Sequence, residues 1–198
     1  MRHEDPPMLA ALDGLTVDLV PHVLSVVREN WTGEDSARPL STDGLRQAAV
    51  LAEAVQGDID AVYSSPAKRC VQTVEPLARS LGLSIETVAG LATPNGAYQP
   101  SMWAEGLFAP IRQELGGAAW MAGAALAELI AMGNTHPGGH VVACSHGDVI
   151  PVLIAQLLAL YGRPVPPDTA DRGGWYRMRF GADGPVIRCH GAIVPSAV

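Results

Sequence analysis

Three polar clusters carry residue types suited to handling an anion: Arg28-Glu29-Asn30, the stretch Ser65 to Thr73 with Arg69 inside it, and Ser145-His146-Gly147. Arg28 and Arg69 offer planar guanidinium forks that match a phosphate or carboxylate two hydrogen bonds at a time. His146 adds a ring donor for the same anion, and Asn30, Ser145 and Gly147 add side-chain or backbone donors around it. Glu29 and His146 together form a candidate acid/base pair. No His, Cys, Asp or Glu group stands at metal-ligand spacing, so the sequence implies neither a metal nor any other cofactor.

Each cluster follows a short apolar run, and these runs must position it. Val23 to Val27 reads as a buried parallel strand feeding directly into Arg28-Glu29-Asn30. Ile59 to Tyr63 is a second strand, and Ser64-Ser65-Pro66 opens a helix with Val71, Val74, Ala78 and Leu81 on one face before Gly82. His140 to Cys144 is a further strand, followed by a helix carrying Ile150, Ile154, Leu157, Leu158 and Tyr161. Between the first two strands Ser41 caps a helix with Leu45, Ala48, Ala49, Ala52 and Val55 at helical spacing, ended by Gly57. Leu83 to Val88 reads as a strand, Ala119 to Met132 as a helix, and Trp175 to Phe180 with Pro185 to His190 as a hairpin around Gly181 to Gly184. Gly90 to Gly117 is irregular and would wall a site, with Trp103, Glu105 and Trp120 as possible lining, and residues 163 to 174 read as a polar loop.

Alternating strands and helices predict an α/β fold, three layers α/β/α around a mostly parallel sheet. Ligands of such sheets bind beyond the carboxyl ends of the strands, so the three clusters are expected to converge on one crevice. The expected organisation is an N-terminal extension over residues 1–22 and a single domain over residues 23–198.

A chain of 198 residues with 48% hydrophobic residues can bury a full core. Its net charge of -7 argues against a nucleic-acid partner, which needs clustered Lys and Arg. No apolar run approaches the roughly 20 residues that span a bilayer, and the polar N-terminus lacks a signal core, so no membrane partner is expected and a cytoplasmic location is the default. Cys70, Cys144 and Cys189 read as small buried hydrophobes, neither disulfide framework nor zinc site. Arg2-His3 follows no strand, and His22, His136, His140 and His190 have no partners at ligand spacing and read as surface or strand-end residues.

The segment Asp60 to Leu77, with Ser64-Ser65-Pro66-Ala67-Lys68-Arg69-Cys70-Val71-Gln72-Thr73, resembles the second signature of the histidine phosphatase (phosphoglycerate mutase-like) superfamily. Arg38-Pro39-Leu40-Ser41-Thr42-Asp43-Gly44 is similar to that family's loop and helix after its first strand, and Ser145-His146-Gly147-Asp148 to its late S-H-G element. Trp31, Gly33 and Asp35 ahead of Arg38-Pro39-Leu40 resemble most the small phosphohistidine-phosphatase-like branch. The resemblance implies a phosphate pocket of two arginines and two histidines, in which a histidine within an R-H-G motif after the first strand forms a phosphohistidine intermediate. By position Arg28 and Arg69 match the arginines and His146 the second histidine, while Glu29 takes the place of the nucleophile and Asn30 that of the glycine. The family's acidic L-x-E element reads Leu91-Ala92-Thr93 here, without a carboxylate.

The expectation is therefore a degenerate active site. An anion pocket is retained for phosphate or a small phosphorylated or carboxylated metabolite, and conventional phosphatase activity is lost or weak because of Glu29. Two alternatives stay open: repurposed acid/base chemistry by Glu29 and His146 on an anionic metabolite, and a non-catalytic interaction protein. The sequence does not fix the oligomeric state.

Overall fold

The computed structural model describes residues 7–93, 113–164, 170 and 172–192. Its strands are β1 Thr16–Pro21, β2 Ala61–Ser64, β3 Ile85–Thr87, β4 His140–Ser145, β5 Trp175–Gly181 and β6 Gly184–His190. Its helices are α1 Thr42–Ala54, α2 Lys68–Leu81, α3 Gln113–Thr135 and α4 Val149–Leu160. The strands form one sheet in the order β3-β2-β4-β1-β5-β6, parallel from β3 to β1 and antiparallel across β5 and β6.

Side chains alternate across this sheet and so build two cores. Val17, Leu19, Val141 and Ala143 face α3 and α4, packing with Met121, Leu129, Leu153 and Leu157. Val20, Val62, Val142 and Cys144 face the other way, toward Leu51, Val74 and Leu77 of α1 and α2. Each buried Val, Leu or Met among these contributes about 1.5–3 kcal/mol by leaving water, and the two faces together give the expected three-layer α/β/α fold.

Two expectations are corrected at the N-terminus. The first strand is Thr16–Pro21, not Val23 to Val27, and it lies between β4 and β5 in the middle of the sheet. Residues 7–22 are therefore integral to the domain and not an extension: Leu9, Leu12 and Leu15 are fully buried in the core beside α3. The apolar run at 23–27 instead forms the base of a loop. Val26 N–H donates to the Pro39 carbonyl at 3.0 Å, Ser41 N–H donates to the Leu24 carbonyl at 3.0 Å, and Ser25 bridges Leu40. Gly44 at the start of α1 allows this approach, because any Cβ there would run into the Leu24 carbonyl.

Asp18 explains why β1 is hard to read as a buried strand. It is fully buried at the centre of β1, where a lone carboxylate would be prohibitively costly. Arg177 of β5 grips it with Nε and Nη2, both at 2.7 Å, and His140 of β4 adds Nε2 at 2.8 Å. Burial pushes the Asp18 carboxyl up, but the bonds from Arg177 and His140 outweigh it and hold it below the usual carboxylate range.

The apolar-run expectation also changes. Leu115 to Thr135 of α3 is long and apolar enough, by length and composition alone, to cross a membrane. Here one side of that helix lays Met121, Ala125, Leu129 and Met132 into the core, and Glu128 accepts from Gly90 N–H at 3.0 Å. Trp103, Glu105 and Arg2-His3 lie outside the described residues, as does most of the irregular segment predicted to wall the site.

Candidate active site

Strand β1 ends at Pro21, and the next residue is His22, 8% exposed. Its backbone N–H donates to the Ser145 carbonyl at 2.9 Å, extending the parallel pairing with β4 by one bond. Thr73 of α2 accepts from Val23 N–H at 3.2 Å, fixing the chain from the other side. The His22 Nδ1 lies 2.8 Å from the Val23 carbonyl. A carbonyl only accepts, so Nδ1 carries the proton and Nε2 is left with its lone pair. Burial, working against the bond to Val23, and the positive surroundings lower the His22 pKa to about 4, so the ring is neutral at physiological pH.

His146, at the carboxyl end of β4, faces His22 edge to face with ring centroids 5.5 Å apart. It is 4% exposed, and its two nitrogens have different partners. Nδ1 lies 3.3 Å from Arg69 Nη2 and can only accept there, so Nε2 bears the proton toward Ser65 Oγ at 2.9 Å. Cys70 Sγ approaches the same Nε2 at 3.5 Å. Cys70 and Cys144 are buried as expected, whereas Cys189 is only partly so.

Arg69, on the first turn of α2, is 5% exposed. Its Nη1 donates to the Asp35 carbonyl at 2.7 Å and Nη2 to the Asp35 carboxylate at 3.0 Å, while its buried Nε–H has no partner among the described residues. An orphaned guanidinium N–H beside two histidines marks a place where an anion can be held.

Asp35 is the feature that sequence reasoning missed. Its carboxylate is shared by Arg28 at 2.8 Å, Arg38 at 2.9 Å and Arg69 at 3.0 Å. Burial would raise the Asp35 pKa, but Arg38, Arg69 and Arg28 together lower it, so it stays ionised. Arg38 is further fixed by bonds to Ser25 Oγ at 2.6 Å and the Val26 carbonyl at 2.8 Å. Asp35 thus occupies three guanidiniums as an external anion would.

The expected convergence is met by two of the three clusters. Arg69 and His146 come together, and Ser145 stands beside them, although its buried Oγ is engaged with the Leu91 carbonyl at 2.7 Å. Gly147 is exposed at the turn into α4. The third cluster is corrected: Arg28, Glu29 and Asn30 form an exposed 3-10 turn, not a strand end. Glu29 has no hydrogen bond or ion pair among the described residues, Arg28 reaches the site only through Asp35, and Asn30 uses its N–H on the Val27 carbonyl. The strand-end position assigned to Glu29 belongs to His22, with Pro21 before it and Val23 after it. The one sequence signal for this was the alternation Val17-Asp18-Leu19-Val20, masked by the charge on Asp18. At the Leu91-Ala92-Thr93 position, Thr93 Oγ1 donates to the Asp148 carboxylate at 2.8 Å.

Comparison with known proteins bears on the fold and on one segment of the chain. Residues 27–99 match the model of the histidine phosphatase superfamily (branch 1), a match that begins after β1 and His22. The 8-oxo-(d)GTP phosphatase of Mycolicibacterium smegmatis is 37% identical over 71 residues, covering 35% of this chain and only 22% of that protein's length. Among solved structures, Bacillus stearothermophilus YhfR superposes with TM-score 0.68 at 19% identity, over 91% of this chain and 98% of its own. The Entamoeba histolytica phosphoserine phosphatase in complex with 3-phosphoglyceric acid gives TM-score 0.65 at 19% identity, over 89% of this chain and 96% of its own. Residues 27–99 thus carry the signature of the histidine phosphatase superfamily, and the chain as a whole shares the fold of these solved structures.

Proposed function

We propose that the chain is a phosphomonoester hydrolase acting on a small phosphorylated metabolite, with His22 as the nucleophile. The observation that carries this is the state of His22: buried at the end of the central strand, neutral, its Nδ1–H tied to the Val23 carbonyl and its ring facing His146. A neutral imidazole held in one tautomer is prepared to attack phosphorus. Nε2 forms a bond to phosphorus as the bond to the leaving oxygen breaks, and that oxygen takes a proton from solvent. Water then attacks the phosphohistidine, releasing inorganic phosphate and returning the electron pair to Nε2. Arg69, whose Nε–H has no partner among the described residues, is the group near His22 that would bind the phosphoryl oxygens, with His146 beside it.

This reading replaces the expectation of a site without its histidine, because that expectation rested on Glu29 standing at the strand end. Acid/base chemistry by Glu29 with His146 loses its support for the same reason. The retained anion pocket remains part of the proposal. Binding without turnover is a second reading, favoured by Pro21 in place of the family's arginine and by Asp35 among the guanidiniums. The two are separated by kcat/KM on p-nitrophenyl phosphate and a panel of phosphorylated metabolites. The expected result is turnover that falls more than about a thousandfold in His22→Ala and stays within about twofold in Glu29→Ala. No turnover by the intact chain, or equal turnover by His22→Ala, would overturn the hydrolase.

A further inference from the structure

A second concentration of positive charge lies on the β5–β6 hairpin, at the edge of the sheet. The register sets Trp175 opposite His190, Arg177 opposite Arg188 and Arg179 opposite Val186. Side chains alternate along a strand, so these six share one face. Arg177 fixes which face it is: Nε and Nη2 reach Asp18 of β1 at 2.7 Å, and Nη2 also donates to the Gln56 carbonyl, just past α1, at 2.9 Å. Arg177, Arg179, Val186 and Arg188 line a cavity of about 230 Å³ there. The crevice at His22 uses none of these residues.

The polar capacity of this face is not filled from within. Asp18 answers the charge of Arg177, but Arg177 Nη1 has no hydrogen bond among the described residues. Arg179 and Arg188 are exposed and make no hydrogen bond or ion pair among the described residues. At the end of the row Trp175 and His190 stack with ring centroids 4.4 Å apart, and the buried Trp175 Nε1 and His190 Nε2 also lack partners among the described residues. Like charges directly opposite each other weaken a strand pair, so Arg177 against Arg188 is a local cost that a bound anion reverses.

Guanidinium forks take phosphoryl oxygens two at a time. Arg179 and Arg188 are diagonal neighbours across the strands, roughly 7–8 Å apart, a separation that lets each fork hold its own phosphoryl group. One phosphate leaves a fork idle, whereas two linked phosphates engage both. The cavity is smaller than the roughly 300–1,000 Å³ of pockets that enclose a whole ligand, so it fits the charged head of a molecule whose remainder lies over the exposed Val186. We propose that this face binds the diphosphate group of a small molecule, with Arg179 and Arg188 each clamping one phosphoryl group and Arg177 Nη1 adding a donor. The site does not depend on the role proposed for His22.

The test uses the full chain and methylenediphosphonate, a diphosphate mimic that resists hydrolysis, followed by backbone amide shifts in NMR at low ionic strength, where surface charge is least screened. Residue-resolved shifts separate this face from the His22 crevice. Saturable shifts are expected along Arg177 to Arg179 and Val186 to Arg188, with affinity at least about tenfold above that for orthophosphate and unchanged in His22→Ala. Arg179→Ala and Arg188→Ala should each weaken binding about tenfold, the loss of one charge-assisted contact, and Arg188→Lys should recover part of it. Arg46→Ala, exposed on α1 and paired with Asp43, should leave it unchanged. Arg177 is left intact because it holds Asp18. No saturable shift on the hairpin, or affinity that survives both alanine variants, overturns the site and leaves the arginines as charges that guard an edge strand. Equal affinity for orthophosphate overturns the diphosphate assignment, and a loss matched by Arg46→Ala overturns the site in favour of general attraction.

Discussion

Removing the charge of Asp35 should strengthen the binding of phosphate. The Asp35 carboxylate holds Arg28, Arg38 and Arg69 at 2.8, 2.9 and 3.0 Å, and an incoming anion must compete for these donors. Two unit charges of like sign ~4 Å apart repel by about 4 kcal/mol at an effective dielectric of about 20. Asp35 keeps 29% of its side chain exposed, so screening reduces that figure, and we take about 1–2 kcal/mol as the net change. Asp35→Asn should therefore bind inorganic phosphate roughly 5- to 30-fold more tightly by isothermal titration at neutral pH. Arg69 should keep its orientation, because its 2.7 Å bond to the Asp35 backbone carbonyl survives the substitution. The cost in stability should be about 1–2 kcal/mol, a drop of a few degrees in Tm, since the Arg28 partner is 71% exposed and only Arg38 and Arg69 are well shielded. Unchanged or weaker phosphate binding by a folded Asp35→Asn chain would refute the competition and make Asp35 a scaffold for the arginines.

Other outcomes follow from the buried charges. Asp18→Asn breaks the buried group with Arg177 and His140 and should cost about 3–5 kcal/mol, lowering Tm by on the order of 10 °C in a thermal melt. The acid limb of kcat/KM should lie near pH 4, the His22 value, well below the ordinary histidine value near 6.5, because only the neutral ring attacks. For stability the sign is the same: the unfolded chain takes up a proton on His22 below about 6.5 and the folded chain resists until about 4. Folding free energy should therefore fall by roughly 3 kcal/mol across that window in urea titrations. Below it, Asp18 and Asp35 add their loss, since both carboxyls are held below their ordinary range and their contribution vanishes as pH falls through the folded values.

Most of the fold was legible because its elements obey local rules. Ser41 caps α1 by accepting from Gly44 N–H at 3.1 Å, Gly82 ends α2 in the left-handed region, and the β5–β6 hairpin turns where its glycines stand. Arg69 and His146 were legible for the same reason, each lying where a strand passes into a helix. The first strand was not, because its legibility depends on residues far along the chain. Asp18 is acceptable at the sheet's centre only through Arg177 and His140, which no local pattern reveals. The apolar run Val23 to Val27 mimics that strand and sets Glu29 at its end, whereas the residue that follows β1 is His22. The role of Asp35 is not legible in the sequence, because it comes from three arginines that only the folded loop assembles.

The identity of the phosphorylated residue tests the central claim most directly. The chain should be quenched in base during turnover of p-nitrophenyl phosphate, conditions that preserve phosphohistidine, and digested for mass spectrometry. The prediction is an acid-labile phosphoryl group on the peptide that carries His22, absent from His22→Asn and present in Glu29→Ala. Turnover without that group, or a phosphoryl group on any other residue, would contradict the account.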